Sequence, residues 1–233
     1  MIFETSIFIP TKKPYFDLLR SEKISYASLG IMIFSLFFIK FGNAYFSNEF
    51  NLILISGLLF LGVVGIVLAG ILHFWEYEKL NGYFKGEIKI DTETITINHE
   101  SYPLSEISSL TVDIFNYKGE RTHARGASFY QGISNHISFT HNSKELSVNF
   151  LLISKNHIDN LYQVLVSIIT QENLQYSRDL INLIPDKYRK SQEFKNFILK
   201  LIVEKRLECT EGLLIHGYSS DEEAKQLRAK YCS

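Results

Sequence analysis

The sequence predicts an α-helical membrane hairpin joined to a cytosolic α+β region, in which a small antiparallel sheet is capped by a helix and followed by C-terminal helices. Three observations predict this. Two long apolar runs lie within the first 75 residues, apolar and polar residues alternate directly after them, and apolar residues recur at three and four from residue 156 onward. The segments implied are 1–23, a cytosolic N-terminal stretch; 24–75, the two-helix hairpin; 82–170, the sheet with its closing helix; and 171–233, a helical region.

Residues 24–39, ISYASLGIMIFSLFFI, carry no charge, and the run continues past Lys40, whose long side chain reaches toward the headgroups. Residues 52–75, LILISGLLFLGVVGIVLAGILHFW, contain no titratable group except His73. About 20 apolar residues cross a hydrocarbon core of about 30 Å. Burying two such helices on all faces in a soluble protein would need a larger shell than the remaining chain offers. Met1 and Lys23 bracket Pro10, Pro14, Glu4 and Asp17, a composition unlike a cleavable signal, so the first run is expected to stay in the mature protein.

Lys12, Lys13, Arg20 and Lys23 precede the first run, and Lys79, Lys85 and Lys89 follow the second. The connector GNAYFSNEFN has neither Lys nor Arg. The positive-inside rule then gives a multi-pass protein of the inner (cytoplasmic) membrane with both termini cytosolic. Tyr45, Phe46 and Phe50 at one end, and Phe74, Trp75 and Tyr77 at the other, supply interfacial aromatics. Gly62, Gly65 and Ala69 form a small-residue stripe that serves either the partner helix of the same hairpin or a second subunit, and a two-helix protein has little else to bury, so a homo-oligomer is expected. His73, Glu76 and Glu78 could hold a metal or relay protons, but polar residues are normal where a helix leaves the membrane.

Past the hairpin, Ile88 and Ile90, then Ile95 and Ile97, alternate with polar residues on either side of a turn at 91–94, which reads as a β-hairpin. Further strands are expected within 106–117, 133–141 and 145–153. From 156 to 170 the stripe Ile158, Leu161, Tyr162, Leu165, Ile168 and Ile169 marks an amphipathic helix. Later helices end at Pro185, run through EFKNFILKLIVEKRL, and begin at a Ser220–Glu223 capping box. The two cysteines, Cys209 and Cys232, have no zinc-type spacing, and reduced thiols in the cytosol are the simpler expectation.

The best site candidate is the polar stretch 118–132, KGERTHARGASFYQG. Lys118, Arg121, His123 and Arg125 stand there among glycines, with Phe129 and Tyr130 available for stacking. Such a loop either binds an anionic ligand, a phosphoinositide-like headgroup, a nucleotide or an oligonucleotide, or is a solvated hairpin loop. With 24 basic and 25 acidic residues, no global field selects nucleic acid. The seven histidines lack ligand spacing, although His136 and His141 flank a strand and could meet His123. Without a nucleophile elbow, HExxH, phosphate loop or dinucleotide glycine pattern, no reaction, cofactor or metal is expected.

The order of a membrane hairpin, GEIKIDTETITI, the YPLSEISSL turn into a long strand, and SNHISFTHNSKELSVNFLLI running into a helix resembles the bacterial pleckstrin-homology-like (PH-like) membrane proteins over about residues 82–170. That resemblance implies a curved sheet of seven strands, of which the sequence shows five, and a binding or assembly module. The 2–9 stretch is a candidate for one missing strand. The layout also looks like that of two-helix effectors in bacterial anti-phage systems, which implies an oligomeric effector or ion channel whose cytosolic part senses a ligand. The alternative is a PH-like scaffold, anchored by the hairpin, that binds a cytosolic protein or a lipid headgroup.

Overall fold

A computed structural model describes residues 1–14, 17–41, 48–122 and 126–232, with side chains described outside 40–51. The chain divides into two compact units: residues 10–83 with 116–133, and residues 1–9, 84–115 and 134–233.

The first unit is built on α1 (Arg20–Phe41) and α2 (Asn48–His73), both long and apolar enough to cross a membrane. Most of their large side chains point outward, Ile55 being buried; Phe34, Phe37, Leu52, Ile53 and Phe60 are all more than half exposed. One set of small ones points inward, while Gly30, Ser56, Gly57 and Gly70 lie open. Ser28, Ser35 and Ala69 are buried, and the Ser35 hydroxyl donates back to the Ile31 carbonyl at 2.8 Å, which satisfies it within its own helix. A Cβ at Gly65 would lie 2.0 Å from Ser28 Oγ, and one at Gly62 would lie 2.4 Å from Met32 Cγ. The glycine stripe is therefore occupied by α1 of the same chain. Tyr45 and Phe46, proposed as interfacial aromatics, lie outside the described residues, as does the Phe50 side chain. Phe74 and Trp75 are exposed just beyond α2.

The second unit is α+β. Seven strands form one open antiparallel sheet: β1 (Phe3–Pro10), β2 (Gly82–Ile90), β3 (Thr94–Ile97), β4 (Glu100–Pro103), β5 (Ile107–Asp113), β6 (Asn135–His141) and β7 (Lys144–Phe150). Their order is β4-β3-β2-β1-β7-β6-β5. The predicted β-hairpin is present, with Ile88 opposite Ile97 and Ile90 opposite Ile95. Its turn is fixed by the Asp91 carboxylate, which accepts from the Glu93 and Thr94 N–H groups at 2.8 and 2.7 Å.

Two strands go beyond the five expected. One is the short, polar β4, and the other is β1, which enters the middle of the sheet through Ile7 opposite Phe150. The N-terminal stretch is thus part of the sheet, and the hairpin is an insertion between the neighbouring strands β1 and β2. Seven strands followed by a helix make a layout compatible with the PH-like resemblance.

Helix α3 (Lys155–Thr170) is capped by Ser154, whose hydroxyl accepts from the His157 N–H, and it buries Leu161, Val164, Leu165 and Ile168. Short helices α4 (Arg178–Asn182) and α5 (Asp186–Arg189) flank Pro185. α6 (Gln192–Val203) buries its whole apolar stripe, Phe194, Phe197, Ile198, Leu201 and Ile202. α7 (Cys209–His216) has no counterpart in the sequence expectations. α8 (Asp221–Tyr231) buries no residue. Its cap differs slightly from a strict capping box: Ser220 accepts from the Glu223 N–H, but the Glu223 carboxylate returns to the Ser219 N–H at 2.7 Å. Cys209 and Cys232 form a disulfide across α7 and α8, which corrects the expectation of two free thiols.

Candidate functional site

The polar loop folds back on itself and against the hairpin's base. Gly119 N–H donates to the Tyr130 carbonyl at 3.0 Å, Tyr130 N–H to the Glu120 carbonyl at 2.9 Å, and Thr122 N–H to the Ser128 carbonyl at 3.0 Å, so residues 119–122 and 128–130 face each other in an irregular antiparallel ladder. Gly119 has φ of +87°, a conformation that a side chain would strain, and the Tyr77 hydroxyl lies 3.6 Å from where its Cβ would sit.

The far side of this ladder satisfies the chain as it leaves α2. The Glu76 carbonyl accepts from the N–H groups of both Ser128 and Phe129, at 2.9 and 3.1 Å, and Glu78 N–H donates to the Phe129 carbonyl at 2.8 Å. The Ser128 hydroxyl donates to the His73 carbonyl at 2.5 Å, one of the C-terminal carbonyls that a helix leaves unpaired. Gln131 donates its N–H to the Glu78 carboxylate at 2.8 Å and its side-chain amide to the Glu78 carbonyl at 3.1 Å. Tyr77 packs on Phe129 with ring centroids 5.4 Å apart.

Glu76 does a second job. Its carboxylate accepts from the N–H of Arg20 at 2.7 Å, from the N–H of Ser21, and from the Ser21 hydroxyl. An anion at the start of α1 offsets its unpaired N–H groups and complements the positive end of the helix dipole. One residue therefore ties the first turn of α1 to the exit of α2, and this cap accounts for α1 starting at Arg20 rather than at residue 24. Asp17 extends the arrangement. Its carboxylate accepts from Lys79 Nζ at 2.6 Å and Asn81 Nδ2 at 2.7 Å, and those two bonds hold its pKa below the ordinary carboxylate value.

Of the predicted ligand residues, Lys118 and Arg121 are exposed, Tyr130 is half-buried with its backbone in the ladder, and His123 and Arg125 lie outside the described residues. His73, Glu76 and Glu78 bond within the loop-and-hairpin junction, and the described residues contain no cluster of three metal-type ligands. His136 bonds Asn149 and Ser147 on the sheet, and His141 lies 3.0 Å from the Glu106 carboxylate. The sequence pattern gave no hint that Glu76 reaches back to residues 20 and 21. The only signal available was an acid just past one apolar run and a Ser-Glu pair opening the other.

Compared with protein-family models, curated proteins and solved structures, the chain has no match.

Proposed function

We propose that this protein is a non-enzymatic, membrane-anchored binding and assembly module. Its hairpin crosses the cytoplasmic membrane twice, both termini lie in the cytosol, and the PH-like sheet with its C-terminal helices engages a cytosolic protein partner. One observation carries the anchor role: Ser28, Ser35, Gly62, Gly65 and Ala69 are spent between the hairpin's own two helices, while its outward surface, apart from small residues such as Gly30, Ser56, Gly57 and Gly70, is large and apolar. Lipid is the natural neighbour of such a surface.

A second reading, the oligomeric effector or channel with possible anti-phage use, keeps one specific support. The loop that carries Lys118 and Arg121 bonds directly to the residues that end α2 and cap α1, so an anionic ligand such as a nucleotide or oligonucleotide would act on both helix ends at once. Reconstitution into liposomes separates the two. The anchor reading expects a monomer in detergent and ion flux at the empty-vesicle baseline; flux that rises on adding a nucleotide or oligonucleotide, and falls with Arg121→Ala, overturns it in favour of the effector.

A further inference from the structure

Strand β5 is the last strand on its side of the sheet and pairs only with β6. Past Ile107, whose N–H donates to the Leu104 carbonyl, no other strand among the described residues pairs with its outer edge. Exposed edges of this kind are normally covered or blunted. Here the edge runs along a groove. One cleft of about 440 Å³ is walled by the consecutive residues 110–115 on one side and by Tyr162, Asp179, Asn182 and Leu183 on the other. A second, of about 420 Å³, follows residues 107–111. Both share Leu110, Thr111 and Asp179, so they are one trough. Its wall uses consecutive residues, whose side chains alternate between faces, which places the trough along the strand's edge and not over one face of the sheet.

The lining has a definite charge. Asp113 and Asp179 contribute carboxylates, and neither cleft contains a Lys or Arg. Phe115, 68% exposed, and half-buried Leu183 and Tyr162 give the same stretch apolar surface. The edge is interrupted once. The register slips between Ser108 and Thr111, where Ser109 adopts φ of +54°, so regular pairing is open only from Thr111 onward.

We infer that the trough binds an extended segment of a partner protein, about four residues long at roughly 3.3 Å per residue, which pairs with the edge of β5 and its continuation from Thr111 to Ile114 and places a Lys or Arg between Asp113 and Asp179. This rests on the binding-module function proposed above and names the class of partner. Main-chain bonds supply a sequence-independent part of the affinity, and the acidic pair supplies selectivity. A second copy of this chain is disfavoured as occupant, because pairing β5 with β5 would bring four carboxylates together.

The test uses the full chain in lipid nanodiscs and three fluorescent heptapeptides of alternating Thr and Val: one with a central Lys, one with a central Glu, and the Lys peptide N-methylated on alternate amides. The Lys peptide is expected to bind about tenfold more tightly than the Glu peptide. The N-methylated peptide should fail to bind, and the amides among Thr111–Ile114 that point away from β6 should gain exchange protection. Asp179→Lys, at an exposed position, should reverse the Lys/Glu preference. Equal binding of the Lys and Glu peptides, no binding of either, protection elsewhere, or a β5-linked dimer each overturns the proposal. These outcomes leave the liposome result untouched: a trough that fails in a protein that still conducts no ions removes only the peptide site, whereas nucleotide-driven flux removes the anchor reading.

Discussion

A methyl group added at residue 65 should prise the hairpin apart. The Cβ of an alanine there would fall 2.0 Å from Ser28 Oγ and 3.1 Å from Ser28 Cβ, where ordinary contact begins at 3.4 Å. Ser28 is only 4% exposed, so its hydroxyl has little room to swing aside. The helices must separate or the serine must take a poor rotamer, and overpacking of this kind costs about 1–3 kcal/mol. Gly62→Ala should cost less, since its closest neighbour is the flexible Met32 side chain. Ser28→Ala combined with Gly65→Ala removes the 2.0 Å clash and leaves the 3.1 Å contact, which a shift of a few tenths of an ångström relieves. Thermal unfolding of the detergent-solubilised protein should therefore rank Gly65→Ala lowest, with Gly62→Ala and the double variant near wild type. A neutral Gly65→Ala, or a double variant no better than the single, would place the stripe away from α1 and refute the packing.

Other expectations follow from individual contacts. α8 is only half-buried, through Ala224, Leu227 and Tyr231, and the disulfide ties its end to α7. In the chain-entropy picture, closing a loop of 23 residues contributes about 3 kcal/mol, or roughly a hundredfold in local opening. Reduction, or Cys232→Ser, should speed amide exchange across α8 by up to that factor while leaving α3 unchanged. Glu76→Ala should lower hairpin stability by about 1 kcal/mol through loss of the α1 cap, measured by thermal unfolding, with Gln retaining part of it; an unchanged transition would remove Glu76 from the capping role. Burial holds His157 below the usual imidazole value of 6.5, against the opposing pull of its bond to the Glu4 carbonyl. The unfolded chain then takes up the proton first, so stability is complete above about pH 6.5 and declines as pH falls through that value toward the folded pKa. A pH series of unfolding midpoints should show that slope in wild type and lose it in His157→Gln.

What could be read from the sequence was local. The β2–β3 hairpin shows because isoleucines alternate on both sides of an aspartate that builds its own turn, and α3 and α6 show because their stripes bury within one domain-sized neighbourhood. β1 was only a candidate, because its partner β7 lies more than 130 residues away and nothing local distinguishes FETSIFIP from a tail. β4 is four residues, ESYP, too short and polar for alternation to register. At the hairpin base the residue types were right for a junction, but that Glu76 closes a contact to residue 20 is a property of the returned chain. The two cysteines could not be paired from their spacing, since a separation of 23 residues says nothing about distance until α7 and α8 are in place.

The insertion of the hairpin between β1 and β2 constrains topology independently of charge. β1 ends at Pro10, β2 begins at Gly82, and the two strands are neighbours in one sheet. If the hairpin crosses a bilayer as proposed, the chain that leaves after β1 must come back before β2, and the sheet would then share one side with Cys209 and Cys232. Which side it is sets two indicators against each other. Lys12, Lys13, Arg20, Lys23, Lys79, Lys85 and Lys89 flank the two apolar helices while the connector has no Lys or Arg, which favours the cytosol. A persistent disulfide favours an oxidising compartment. Both hold together only if the bond opens and closes in a reducing cytosol, as redox-responsive cytosolic pairs do. Intact bacterial cells expressing the protein, treated with a membrane-impermeant maleimide, should leave both cysteines unlabelled; permeabilised cells should give a labelled fraction that grows on adding reductant. Labelling of intact cells after mild external reduction would place the sheet and its C-terminal helices outside the cytosol and reverse the charge-based orientation.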